Sequence, residues 1–222
     1  MTFGKTLLSS APAALALGLA LPIAAGLLGT LAPALRGRGF AALTAWDGLW
    51  CAVKLSIGTG LTSTLAALII TLLIIAALAN SASFALIRRT LSPLLALPHA
   101  AAALGLAFLI SPSGWLSRAL SPWATGWENP PNLLILNDPM GLSLTLGLIA
   151  KELPFLLLMA LAALPQLDAH RNAQVAASLG YGRIMGFTLT TLPALYRALR
   201  LPTFAVLAYA MTNVDMAMIL GP

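Results

Sequence analysis

The chain has 222 residues, of which 59% are hydrophobic and only 8% charged, with a formal net charge of +6. A soluble globular domain carries about one-quarter charged residues, so this composition excludes one and describes a membrane protein. The basic excess does not indicate a nucleic-acid partner, because the lysines and arginines are scattered between apolar runs rather than gathered on an aromatic-interleaved patch.

A bilayer span needs about 20 mostly apolar residues, since a helix rises about 1.5 Å per residue through about 30 Å of hydrocarbon. Five stretches meet or approach that length: residues 7–31, 51–78, 91–110, 141–164 and 201–220. They must be helices, because lipid cannot satisfy open backbone groups and no stretch alternates like a barrel strand. The expected fold is therefore all-α, a polytopic transmembrane bundle of about five spans in one domain, 1–222. The first stretch resembles a signal peptide but runs well past the about 7–15 residues of a signal core, and reads as a retained span. The lone Cys51 excludes an internal disulfide and offers no metal cluster, so it reads as apolar filler.

Between the first two spans, Phe40, Leu43, Trp46 and Trp50 recur at near-helical spacing, which predicts a piece lying along the membrane surface over residues 39–50. Pro93 and Pro98 are expected to bend or open the third span. Residues 111–140 are rich in proline and lack a sustained period, which predicts loop with a short interfacial piece.

Charge sets the orientation. With the amino terminus in the cytoplasm, that side holds Lys5, Arg88, Arg89, Arg171, Arg183, Arg197 and Arg200, and the other holds Arg36, Arg38 and Arg118, while Lys54 and Lys151 fall within or beside apolar runs. All five tryptophans, Trp46, Trp50, Trp115, Trp123 and Trp127, then lie in the two outer connections, where indole rings favour the interface.

The inner connection, residues 165–200, far exceeds the about 2–8 residues that usually join packed helices. Ala169, Ala173, Ala176 and Gly180 recur at helical spacing and form a face of small side chains. Gly180 is expected to end that helix as a left-handed cap. A second short helix is expected to run to Pro193, where the missing amide stops it.

The stretch QVAASLGYGRIMGFTLTTLP resembles the coupling loop of binding-protein-dependent ABC importer permeases, the MetI-like superfamily, whose pattern is Glu-Ala-Ala, three residues, Gly, then a Leu-Pro. Gln174 takes the glutamate place, Val175 and Ala176 the alanine places, Gly180 the glycine place, and Leu192 with Pro193 the Leu-Pro place; Ser178 and Leu179 match the residues that precede the glycine, and Tyr181 follows it. Gln174 departs from the pattern and replaces a charge-assisted contact by a neutral hydrogen bond. The flanking KELPF and NVDMAMILGP, and LPHAAAALGLAFLISPSGW earlier, are similar to segments of that family, the last to double-length members, so the likeness extends from Lys54 to Pro222.

The resemblance implies a type I importer permease in a bacterial inner membrane, the first half of a double-length protein or one subunit of a dimer, with a further span expected beyond Pro222. It implies cytosolic ATPase subunits docked on the inner loop, an outer solute-binding protein and a second permease half as partners, besides membrane lipid. No cofactor is expected: the chain has no G-x-x-x-x-G-K-[ST] phosphate cradle, so ATP belongs to the partner and this chain is not itself an enzyme.

Four residues are candidates for the translocation pathway. Lys151 and Glu152 fall in the fourth span, where ionised side chains are expensive, and either line the pathway or pair with neighbouring helices. Asn213 and Asp215 pose the same alternatives in the fifth. An ion-coupled secondary transporter is the rival reading, with Lys151, Glu152 and Asp215 as coupling sites. A membrane scaffold leaves the long inner loop unexplained. SPSG, Ser111 to Gly114, superficially matches an intramembrane protease nucleophile, but His99 lies in the third span and His170 on the opposite face, out of reach as a base.

Overall fold

The computed structural model of the protein describes residues 3–35, 37–78 and 83–222. Arg36 lies outside the described residues, as do the side chains of Lys5, Arg38 and His170. Among the described residues every regular element is helical. The chain forms two compact units, Met1–Ala52 and Val53–Pro222.

The first unit holds α1 (Phe3–Leu35), which contains Pro12, Pro22 and Pro33, and α2 (Arg38–Thr44). The surface piece expected over residues 39–50 is helical only to Thr44; a turn follows, and α3 (Leu49–Leu78) begins. Cys51 is exposed rather than a filler of the interior.

α3 continues into the second unit, followed by α4 (Ser83–Ala96), α5 (His99–Ile110), α6 (Trp115–Leu120) and α7 (Leu142–Ala163). A 3₁₀ turn, Leu164–Leu167, leads to α8 (Ala169–Ser178) and α9 (Arg183–Gly186); five π-helical residues, Phe187–Thr191, join α9 to α10 (Leu192–Thr212), and α11 (Val214–Leu220) ends the described chain. Among the described residues four helical stretches are long and apolar enough to cross a membrane, Ala14–Pro33, Leu49–Leu78, His99–Leu120 and Leu142–Leu167; α9 to α11 make a fifth if the pair bent by 51° counts as one span.

Three expectations need correction. Residues 91–110 are not one helix, because α4 ends at Ala96 and α5 starts at His99. Pro98 removes an amide donor and biases Leu97 away from helical angles, so the span begins after it; Pro93 is accommodated inside α4. The fifth stretch starts earlier than residue 201 and breaks at Asn213, whose backbone is extended. Pro193 does not stop a helix but occupies the first turn of α10, since the π-helical residues before it loosen the ring that its own ring would crowd.

Two apolar clusters organise the second unit. One joins Ala67 and Ile75 of α3, Leu91 of α4, Leu156 and Ala160 of α7, and Leu195 and Leu199 of α10. The other joins Ala103 of α5, Leu144 and Leu148 of α7, Ala210 of α10, and Met216 and Leu220 of α11. Gly147 makes the second cluster possible, because a Cβ there would stand 2.6 Å from a Leu220 methyl. Without lateral hydrophobic drive in lipid, such close backbone approach supplies the packing that holds helices together.

Candidate functional site

The connection over residues 165–200 is ordered by its own backbone. α8 closes in a Schellman motif: Gly180 has φ +79°, its amide donates to the Ala177 carbonyl at 3.0 Å, and the Tyr181 amide donates to Ala176 at 3.0 Å. A side chain in that left-handed conformation costs about 1–2 kcal/mol, which is why glycine holds it. The reversed chain then packs back on α8, where a Cβ on Gly186 would stand 2.8 Å from that of Ala176. Ala176 is buried by this contact, while Ala173 and Gly180 stay exposed.

The outer face of this knuckle is apolar and open. Val175, Leu179, Ile184 and Met185 are exposed, Leu179 by 69%. Gln174 is also exposed; Ser178 turns its hydroxyl onto the Val175 carbonyl at 2.8 Å, and Tyr181 is half-exposed. Leu192 and Pro193 stand apart from this face at the start of α10. Behind the knuckle is a cavity of about 700 Å³, lined among others by Ile75, Ala176, Tyr181, Arg183 and Thr191. Arg183 crosses to the end of α3, where its Nη1 donates to the Ala77 carbonyl at 2.7 Å.

The four pathway candidates do not form one group. Lys151 is only 8% exposed and donates from Nζ to the carbonyls of Leu94 at 3.1 Å and Leu97 at 2.7 Å. It serves the backbone groups that the break before Pro98 strips of helical partners. Its neighbour Glu152, 5% exposed, turns toward α3, where Oε1 accepts from the Ser63 hydroxyl at 3.3 Å and buried Oε2 has no partner among the described residues. Adjacent helical positions point in different directions, so the two charges serve different neighbours.

Asn213 is the N-cap of α11: its Oδ1 accepts from the Met216 amide at 2.8 Å, and its buried Nδ2 has no partner among the described residues. Asp215 is exposed in the first turn of α11, where a carboxylate complements the helix dipole. The His99 ring lies 4.8 Å from that of Tyr209.

The sequence reading missed Asn137 and Asp138, which it left in loop. Asp138 accepts from the amides of Leu142 at 2.8 Å and Ser143 at 2.9 Å, capping α7. Burial pushes its carboxyl up, but the backbone amides of Ser143 and Leu142 outweigh that and hold it below its ordinary range. Asn137, at φ +56°, donates from its side chain to the Gly221 carbonyl, and its amide donates to Leu220 at 3.3 Å. An Asp three residues before Gly141 and an apolar run was the available signal.

These elements define a multi-pass, all-helical membrane protein. No family model matches the sequence. The chain is 33% identical over 207 residues, 90% of its length, to the inner membrane ABC transporter permease protein YnjC of Escherichia coli (strain K12), and it spans 37% of that relative's length. It is thus a homologue of an ABC transporter permease. That relative is by name a permease rather than an ATPase. Among the described residues no group of three or more His, Cys, Asp or Glu is placed to hold a metal ion.

Proposed function

We propose that this chain is a permease unit of an ATP-driven importer of type I architecture, with residues 1–222 acting as one membrane domain of five spans and the amino terminus in the cytoplasm of a bacterial inner membrane. The connection at residues 165–200 is its coupling loop. Cytosolic ATPase subunits dock on the face of Gln174, Val175, Ser178, Leu179, Gly180 and Tyr181, and a solute-binding protein delivers a small solute from outside. A second permease half completes the pathway, either in the same longer polypeptide or as a partner.

The single observation that carries this reading is the glycine-closed knuckle with its exposed apolar face. Exposed Leu179, Ile184 and Met185 beside polar Gln174 make a small, stiff surface suited to a protein partner. Closure of the ATPase pair on ATP moves the knuckle and rocks the spans between two packings.

The test is co-expression and co-purification with a candidate ATPase subunit. Gly180→Arg forces a side chain into φ +79° and adds a bulky cation to the face; it is expected to weaken ATPase retention at least tenfold and abolish ATP-driven uptake. Undiminished retention and uptake would refute the docking role. Glu152, with its unpartnered buried oxygen, favours the ion-coupled carrier as second reading. A carrier would lose uptake to a protonophore and keep it after ATP depletion.

A further inference from the structure

Hydrogen bonds tie α3 to other elements at three heights. At one end Arg183 donates to the Ala77 carbonyl at 2.7 Å. Midway, Ser63 donates to Glu152 of α7 at 3.3 Å. Near the other end, Ser56 donates to the Met211 carbonyl of α10 at 2.7 Å, two positions before the break at Asn213.

One end contact meets a group freed by a break: Met211 belongs to the last turn of α10, where carbonyls lack intrahelical donors. At the other end Arg183 brings a permanent cation to the Ala77 carbonyl, close to the last described residue of α3. Between these contacts α3 contains no proline, and it buries a row of small residues, Gly60, Ser63, Thr64, Ala67 and Thr71. From residue 56 to residue 77 it is about 30 Å long at about 1.5 Å per residue. A stiff helix with a smooth face suits the short sliding of packed helices.

We propose that α3 is a transmission rod between the inner knuckle and the α10–α11 break, with Arg183 and Ser56 as the positioning residues at its ends. The proposal rests on the docking reading above and adds the route by which motion leaves the loop. The covalent route enters α10 at Leu192, far from the break; α3 instead brings a donor directly to Met211. Arg183 fixes the knuckle to the rod, because Ala176 and Gly186 hold α8 and α9 together as one piece. Movement of that piece shifts α3 along its own axis, carries Ser56 against Met211 and changes the 51° bend at Asn213.

The test uses the full chain with its ATPase in lipid nanodiscs, and reads amide hydrogen exchange across residues 207–216 with and without ATP and vanadate. In the parent, exchange at the break is expected to change on trapping. Arg183→Ala is expected to keep the ATPase bound and hydrolysing but lose that change, with Arg183→Lys restoring it in part. Ser56→Ala, which leaves the knuckle untouched, is expected to lose it as well, and it decides alone if Arg183→Ala does not accumulate in membranes. If both variants retain the change while the ATPase stays bound, the rod is overturned and docking stands. Release of the ATPase by Arg183→Ala, or a parent whose break ignores ATP, overturns the rod too. A parent that never holds the ATPase removes the docking reading, and the rod with it.

Discussion

Among the described residues of the second unit, the breaks at Leu97–Pro98 and at Asn213 interrupt helices and are repaired in opposite ways. At the first, the exposed carbonyls of Leu94 and Leu97 receive the ammonium of Lys151 from α7, more than fifty residues along the chain. At the second, Asn213 caps α11 with its own side chain, and Ser56 adds a bond to Met211 from α3. A local cap stabilises the element that carries it. A remote donor locks two elements together, so its loss is felt in both.

The largest expected effect is therefore at Lys151. Lys151→Met keeps the length of the side chain and removes its donors. The two carbonyls are part-buried and would each lose a charged donor worth about 1 kcal/mol, so the variant is expected to lose about 2 kcal/mol. Thermal unfolding in detergent should show a clear fall in Tm, and an unchanged Tm would make the clamp unimportant. At the other break Asn213→Ala is expected to cost about 1 kcal/mol, the usual value of an N-cap, with faster amide exchange confined to α11. A loss as large as that of Lys151→Met would erase the distinction between local and remote repair.

A third helix start, at α7, sharpens the comparison through pH. The Asp138 carboxyl is held below its ordinary range by the Ser143 and Leu142 amides against the opposing pull of burial. A depressed folded value means that the contribution is complete above the unfolded value and fades as pH falls through the folded one. Stability is thus expected to drop on acidification below about pH 4, and Asp138→Asn should flatten that part of the profile. This effect is expected to be the smallest, because the cap is local and touches only the first two amides of α7.

The positions where sequence reasoning succeeded share a local cause. Gly180 followed from helical spacing of small residues before a glycine, and its left-handed geometry needs only the neighbouring amides and carbonyls. The fourth span appears as α7 within a residue or two of the expected ends, because twenty or so apolar residues behave alike in any bundle. Pro193 failed for the complementary reason. A proline stops a helix unless the preceding turn widens, and the π-helical register of Phe187–Thr191 is not written in the residue types. Likewise Lys151 and Glu152 stood out as buried charges, but sequence alone left open which neighbour each would reach.

Residue class and run length by themselves determined that this polypeptide is helical and crosses a membrane several times, because hydrocarbon admits few backbone solutions. Tertiary structure alone decided that Lys151 serves α4, that Glu152 faces Ser63, and that Arg183 reaches the end of α3. Each of those bonds joins groups far apart in the chain, and a donor's choice among orphaned carbonyls is set by which helix ends the packing brings within about 3 Å.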